Sequence, residues 1–447
     1  MICNTISGLL TVVLLATSSL AQPAATLEEA IADPAAQRLA KPTPSQAEWH
    51  DTEFGMFIHF GLWSWPEGVS TEKKPLSHLK IFDPIKLDTD QWVDVAELMG
   101  ANYIVFTVKH GDGFCMWQTD TTEFSIKNTP WRDGQGDILA DLANSCRQRG
   151  MKLGVYIQGH DRWHNAGGGG RCATPEAQER YNEIYRAQLT EVLSRYGTMF
   201  EVWFDGGMTV PVGDILGQHA PMANVFQGPH TTMRWVGHEE GYAPYPAWNA
   251  LRGAEAKDGT ATAEQGDPEG DVWLGLECDA RIRASWMYRA DNVDTLKSVD
   301  YLMDMYYRSV GHGAVLLLNH TPDTTGLIPD TDVRRAKEFG DEIRRRFDNS
   351  LAETRGFGDI VELSLSEPTT VDHVITMEDI LHGERIREYV IEGFASDTWR
   401  KLAEGVSIGH KKIDSFEPTE VSKVRVRVVK SAATPLIRRV AVYNTHP

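Results

Sequence analysis

Between about residue 50 and residue 345, short runs of apolar, β-branched and aromatic residues alternate with stretches in which apolar residues recur every three or four positions. The first pattern is that of strands buried on both faces, and the second that of helices burying one stripe. Gly55–Gly61, Tyr103–Lys109, Lys152–Gln158, Phe200–Asp205, Ala223–Gln227, Val272–Glu277 and Ala314–Asn319 read as strands. Between them, Trp92, Val95, Ala96 and Met99 share one helix face. So do Leu139, Leu142, Ala143 and Cys146, and then Tyr181, Ile184, Tyr185 and Leu189. Gly100, Gly150 and Gly197 follow these stretches, where a helix C-terminus needs a residue that tolerates positive φ. Strands separated by helices must run parallel, and a chain of such units favours a closed α/β architecture, a (β/α)8-type barrel, over an open sheet. The open alternative lacks a GxGxxG after its first strand and a GxxxxGK[ST] anywhere. Leu251–Gly270, rich in Gly, Ala, Asp and Glu, reads as an exposed loop.

Beyond about Phe347 the period changes to two. Ile360–Leu365, Glu388–Phe394 and Val421–Val429 alternate, with Val424, Val426 and Val428 set against Arg425 and Arg427. One face is buried there, as in an antiparallel β-sandwich. The expected organisation is a signal peptide over residues 1–21, a catalytic barrel over 22–348 and a C-terminal sandwich over 349–447.

Composition adds a location and removes some partners. The apolar run Leu9–Leu20, closed by small residues up to Ala21, has the form of a secretory signal, so the mature chain is expected to be exported, periplasmic or extracellular. No later stretch approaches a membrane span. A formal charge of −19 weighs against nucleic acid, whose phosphates demand clustered Lys and Arg. Cys115, Cys146, Cys172 and Cys278 are widely spaced without a CxxC pair and read as mostly buried thiols.

In a barrel of this kind the loops after the strands carry the chemistry. Four strand ends are expected to converge: Phe57-Ile58 at His59, Tyr103–Lys109 at His110 with Asp112 beyond, Val202-Trp203-Phe204 at Asp205, and Val272–Leu276 at Glu277. Asp205 precedes Gly206-Gly207, which lets a ligand approach a carboxylate closely; a plain turn aspartate is the other reading. Retaining glycoside hydrolysis requires a second carboxyl roughly 5–5.5 Å from the first. Glu239 lies beside Trp235 and Gly237, where partial burial would favour a proton-bearing acid, though it could equally form a solvated pair with Glu240. Glu277 is its rival, with an ion pair to Arg281 or Arg283 as the plainer role. Residue types alone leave this choice open. Trp63, Trp65, Trp117, Trp203, Trp235, Trp273, Trp286 and Tyr288 gather near these positions, and aromatic rings suit the C–H faces of a sugar. Trp92 and Trp248 read as core. His160, Asp161 and His164 lie next to Gly167–Gly170 without a helical frame, so no metal and no cofactor is expected.

Three segments, Phe54–Gly61, Lys109–Phe114 and Phe200–Gly206, resemble in order the α-L-fucosidases of glycoside hydrolase family 29. The resemblance runs from about residue 45 to 345, and the trailing β-rich segment is similar to that family's C-terminal sandwich. It implies Asp205 as nucleophile. Arg234-Trp235-Val236-Gly237-His238-Glu239 and Trp273–Asp279 resemble the subgroup acting on branched α-1,3/1,4-linked fucose, which implies Glu239 as acid/base. It also implies that His59 and His110 bind sugar hydroxyls and that Trp203 and Trp286 line the apolar side of the ring, with Trp235 and Glu277 as further substrate contacts. The chain departs from the family at His110-Gly111, where two consecutive histidines are usual, and in lacking a clear Glu-Trp pair around Trp65-Pro66-Glu67. Gly111 is expected to leave room for an extra substituent. The expected protein is a secreted, retaining exo-glycosidase that removes terminal α-L-fucose, its partner an oligosaccharide or polysaccharide bearing that or a related L-sugar. An exo-α-L-galactosidase, a hydrolase of substituted fucosides, and a catalytically silent glycan-binding protein are the alternatives.

Overall fold

The computed structural model describes residues 26–68, 72–253, 256 and 265–446, so the expected signal segment and much of the loop within Leu251–Gly270 lie outside the described residues. Eight parallel strands close into a barrel: β1 Phe54–Ile58, β2 Tyr103–Lys109, β3 Lys152–Ile157, β4 Glu201–Trp203, β5 Asn224–Phe226, β6 Met233–Trp235, β9 Gly275–Arg281 and β10 Val315–His320. β7 Ala250–Leu251 and β8 Val272–Trp273 form a separate antiparallel ribbon. Six of the expected strands fall where the apolar runs place them. The expected three helices form at Thr89–Met99, Ile138–Arg149 and Pro175–Arg195, and Gly100 (φ 87) and Gly150 (φ 68) cap the first two in the left-handed region.

Two strands differ from expectation. β6 has three residues and lies in what reads as a Gly-containing loop, too short to show any period. The run Val272–Glu277 divides at Leu274: its first two residues enter the ribbon, and the barrel strand continues to Arg281. Glu277 is therefore mid-strand, paired with Val315 on one side and Trp235 on the other. The acidic residues Glu277 and Asp279 hide this strand because both point inward, into the barrel.

The barrel interior is layered. Near the N-terminal ends of the strands, Trp49 from the helix Pro44–Thr52, Tyr103 and Glu201 fill the axis. Glycines stand opposite them. A Cβ at Gly55 would lie 2.3 Å from the Tyr103 ring, one at Gly154 2.9 Å from the Glu201 Cβ, and one at Gly275 2.5 Å from the Trp49 ring. Pairing large with empty positions lets a narrow barrel pack at interior density. Above this layer come Phe57, Tyr156, Trp203 and Phe226, with Trp203 stacked flat on Phe226 (centroids 3.5 Å apart).

The C-terminal β-structure is one hydrogen-bonded antiparallel sheet in the order β11-β16-β12-β15-β13-β14. Its strands are β11 Ala352–Phe357, β12 Ile360–Glu378, β13 Ile386–Ala395, β14 Thr398–Gly405, β15 Lys412–Ser431 and β16 Leu436–Tyr443. Register shifts between Ser364 and Thr369 and between Val371 and His373 interrupt the pairing of the two longest strands, the kind of bulge that bends a sheet. The sheet has its own core, which includes Val424, Val426 and Val428, while Arg425 and Arg427 bond Glu392 on the other face. It is tied to the barrel by His410 and Arg438 on Asp51 and by Lys411 on Glu53. The N-terminal segment reaches it as well: Arg385 donates to the carbonyl of Ala30, and Thr434 to Asp33.

Candidate active site

The strand C-termini open onto a cavity of about 190 Å³ walled by Phe57, His59, Trp63, His110, Tyr156, Trp203, Asp205, Glu239, Asp279, Trp286 and Met287. Three of the four expected strand ends, His59, His110 and Asp205, meet there. Glu277 does not: it is fully buried beneath the cavity, where its Oε1 accepts from Trp203 Nε1 (3.0 Å). Its expected partners are engaged elsewhere, Arg281 with Glu239 and Arg283 with Asp332. Trp235 also stands behind the wall rather than in it, donating to Asp279. Of the other aromatics, Trp117 and Trp273 are core, as are Trp92 and Trp248.

Asp205 follows β4, and its Oδ2 accepts from Tyr156 OH (2.8 Å) and Gln158 Nε2 (3.0 Å), both at the end of β3. The next two residues turn sharply with positive φ (Gly206 76°, Gly207 83°), and both donate their N–H to Gln227 Oε1. Two donors thereby fix one carboxylate oxygen, Gln227 fixes the turn that follows, and the carboxyl lines the cavity. Burial pushes its pKa up, opposed by the Tyr156 hydrogen bond and assisted by the charge of Glu239.

Glu239 crosses the mouth on the loop after β6. It is expected to be partly buried, but its side chain is 43% exposed, with Arg281 at 3.5 Å and Trp286 Nε1 donating at 2.8 Å. The fully enclosed acid of the cavity is Asp279, which the sequence reading does not single out. Desolvation raises its pKa to about 7 against the Trp235 N–H bond of 2.6 Å, and the charges of Glu239 and Asp205 add to the effect. Strand alternation carries the signal for it: Glu277, Asp279 and Arg281 share the inward face of one strand.

Burial favours the neutral form of both cavity histidines. Burial lowers the His59 pKa to about 3, while its Nδ1 bonds Asn319 Oδ1 (2.8 Å). His110, stacked on Tyr156, is held well below the ordinary range by burial and by the nearby His59, Arg162 and His160. Neutral imidazoles both donate and accept, which suits sugar hydroxyls. The space beside Gly111 is already occupied: a Cβ there would lie 2.9 Å from Gln158 Oε1 and 3.2 Å from His160 Nδ1. These two side chains, rather than an extra substituent, take the room left by the second histidine.

Asp161, next to His160, accepts from Lys109 (3.3 Å) and His164 (2.9 Å) in a buried ion pair. Among the described residues no group of three or more His, Cys, Asp or Glu is arranged to hold a metal ion. Cys115, Cys146, Cys172 and Cys278 are free thiols.

Carboxyls, buried histidines and tryptophans around a small cavity at the C-terminal face of a parallel barrel are the equipment of a glycoside hydrolase. Residues 76–345 match the α-L-fucosidase family model, and the chain belongs to that family, GH29. It is 29% identical to α-L-fucosidase 1 of Arabidopsis thaliana over 91% of this chain and 88% of that protein. A candidate α-L-fucosidase structure from Bacteroides thetaiotaomicron superposes with a TM-score of 0.85 at 33% identity, covering 91% of this chain and 99% of the other. A Ruminococcus gnavus GH29 fucosidase solved in complex with fucose gives 0.79 at 26% identity over 91% and 95%.

Proposed function

We propose that this enzyme removes terminal α-L-fucose from glycans with net retention, Asp205 acting as nucleophile and Glu239 as acid/base. The observation that carries the reading is the setting of Asp205: a strand-end carboxylate oriented by Tyr156 and Gln158, facing a sugar-sized cavity whose wall also carries Glu239. Asp205 attacks the anomeric carbon while Glu239 protonates the departing glycosidic oxygen. Glu239, now a base, then draws a proton from water, which breaks the glycosyl–Asp205 ester and frees the sugar. His59 and His110 bind hydroxyls, and Phe57, Trp203 and Trp286 face the apolar side of the ring.

A second reading assigns the first proton to Asp279, whose burial and pKa of about 7 make it the cavity acid that holds a proton near neutrality. Kinetics separate the two. With an aryl fucoside, whose leaving group needs no protonation, loss of the true acid spares the first step, and azide restores turnover. We expect that signature from Glu239→Ala; finding it in Asp279→Ala instead would transfer the role.

The motifs ending at Glu239 and Asp279 favour branched α-1,3/1,4-linked fucosides as substrates, and the leader-like N-terminus favours an exported compartment. A panel of linear and branched α-L-fucosyl and α-L-galactosyl oligosaccharides tests the substrate. Preferential release from branched fucosides is expected, L-galactose release would redirect the assignment, and tight binding without turnover would favour a silent glycan-binding protein. N-terminal sequencing of the secreted chain, expected to begin near Gln22, tests the location.

A further inference from the structure

The family's chemistry uses the cavity, yet two fully buried acids of the barrel strands lie beneath it and take no part in that scheme. Glu201 begins β4 and Glu277 is the third residue of β9, and neither exposes any surface. Their hydrogen bonds come from the helix Pro44–Thr52, from β2 and from the third residue of β4 itself. Glu201 Oε2 accepts from Trp49 Nε1 at 2.9 Å, Glu277 Oε1 from Trp203 Nε1 at 3.0 Å, and Glu277 Oε2 from Tyr103 OH at 3.4 Å. Glu201 Oε1 accepts no hydrogen bond from the surrounding groups, while Glu277 lies close enough to its carboxyl to interact with it directly, as do Trp203 and Tyr103. Among the described residues no Lys, Arg or His bonds either acid, and the other titratable groups facing the pair, Tyr103 and Asp279, can add only negative charge.

Two carboxylates enclosed together without a cation cannot both ionise, because desolvation and mutual repulsion act in the same direction. Two neutral acids would have two hydroxyls to place, whereas the indoles of Trp49 and Trp203 only donate and the Tyr103 hydroxyl already points its hydrogen at Glu277. One proton between them satisfies the geometry: it fills the gap at Glu201 Oε1, and the remaining negative charge accepts the indole and phenol hydrogens around it. We infer that Glu201 and Glu277 share a single proton and that this buried acid–carboxylate pair is the positioning group for Trp203, one of the tryptophans that wall the sugar cavity. The pair acts through Trp203 and never touches substrate. Trp203 is clamped between the Glu277 oxygen at its edge and the Phe226 ring against its face, so its place in the cavity wall depends on an acceptor being kept beneath it.

The pair also links stability to pH. Both acids are shifted upward, by burial first. The folded chain therefore holds a proton that the unfolded chain releases above the ordinary Glu range near 4.3. Its stabilising effect is complete below that range and is lost as pH rises through the raised folded values.

The inference rests on the cavity being the sugar site, but its first test needs no substrate. Infrared difference spectra of wild type minus Glu201→Gln at pH 7 should show one protonated-carboxyl band lost, since the Gln amide donates to Glu277 in place of the shared proton. Absence of that band overturns the shared proton. For positioning, Glu201→Gln and Glu277→Gln, which keep an acceptor beneath Trp203, should stay within about threefold of wild-type KM, whereas Glu277→Leu leaves the indole N–H unpaired and should raise KM roughly tenfold, with kcat less affected. A folded Glu277→Leu with wild-type KM overturns the positioning role. If Glu277→Leu does not fold, Trp203→Phe decides in its place: it removes the same hydrogen bond from the other side, and an unchanged KM contradicts the claim. If no fucoside is turned over at all, the infrared result still stands or falls alone.

Discussion

Glu201 and Asp205 face the same way from one strand, four residues apart, and their chemistry is opposite. Glu201 sits on the barrel floor, closed in by Trp49 and its fellow acid, with no path to a ligand. Asp205, just beyond the last residue of β4, meets the cavity with two donors fixing one oxygen. β9 repeats the contrast over a shorter span, with Glu277 below the floor and Asp279 in the wall. Side chains alternate along a strand, so two residues of displacement lift an inward group by one layer. Depth, rather than residue type, separates the acids that can meet a sugar from those that hold its cavity in shape.

The largest effect should come from the mouth. Asp205→Asn can still accept from Tyr156 and Gln158, so the fold should persist while kcat/KM falls by on the order of 10⁴-fold or more, measured with an aryl α-L-fucoside. Retention of even a tenth of the activity would mean that depth has been misassigned to function. Next comes Glu239→Gln, with an expected loss of roughly 10²–10⁴-fold on oligosaccharides and far less on substrates with activated leaving groups. Trp286→Phe keeps the ring against the sugar but removes the N–H that holds Glu239. A loss of about 3–10-fold, concentrated in kcat, is expected, and a loss confined to KM would make Trp286 a binding surface alone.

Asp279→Asn yields the smallest effect on the fold and the sharpest on its pH dependence. Because the folded pKa of Asp279 is raised to about 7, its contribution to stability is full below the unfolded value and disappears as pH rises through 7. The variant has no such proton to lose. Its melting temperature should therefore fall less than that of the wild type, by a few degrees, between pH 5 and pH 8 in thermal unfolding scans. Equal slopes would show that Asp279 titrates normally.

Much of this arrangement was legible in the sequence. Apolar runs located six barrel strands, and a polar residue at the end of each of three of them, His59, His110 and Asp205, led to the cavity. β6 escaped because three residues show no period, and the true barrel strand near Glu277 was displaced because its inward positions are acids. Inward acids contradict the hydrophobic pattern by which strands are recognised, yet here they mark the site and its floor. Tyr156 and Gln158 were missed for a different reason. Their strand was located, but its end carries groups whose value lies in what they bond, and that partner, Asp205, is 47 residues from Gln158 in the chain. The filling of the room at Gly111 is hidden from the sequence for a related reason, since the side chains of Gln158 and His160 that occupy it come from another strand's loop.

The central claim is that Asp205 forms the glycosyl–enzyme bond. The most direct test is proton NMR of the first turnovers of an aryl α-L-fucoside, run before mutarotation, with wild type and Asp205→Asn side by side. The wild type should release α-L-fucose first and the variant should release essentially none; β-L-fucose as the first product, or turnover by the variant at the wild-type rate, would contradict the account.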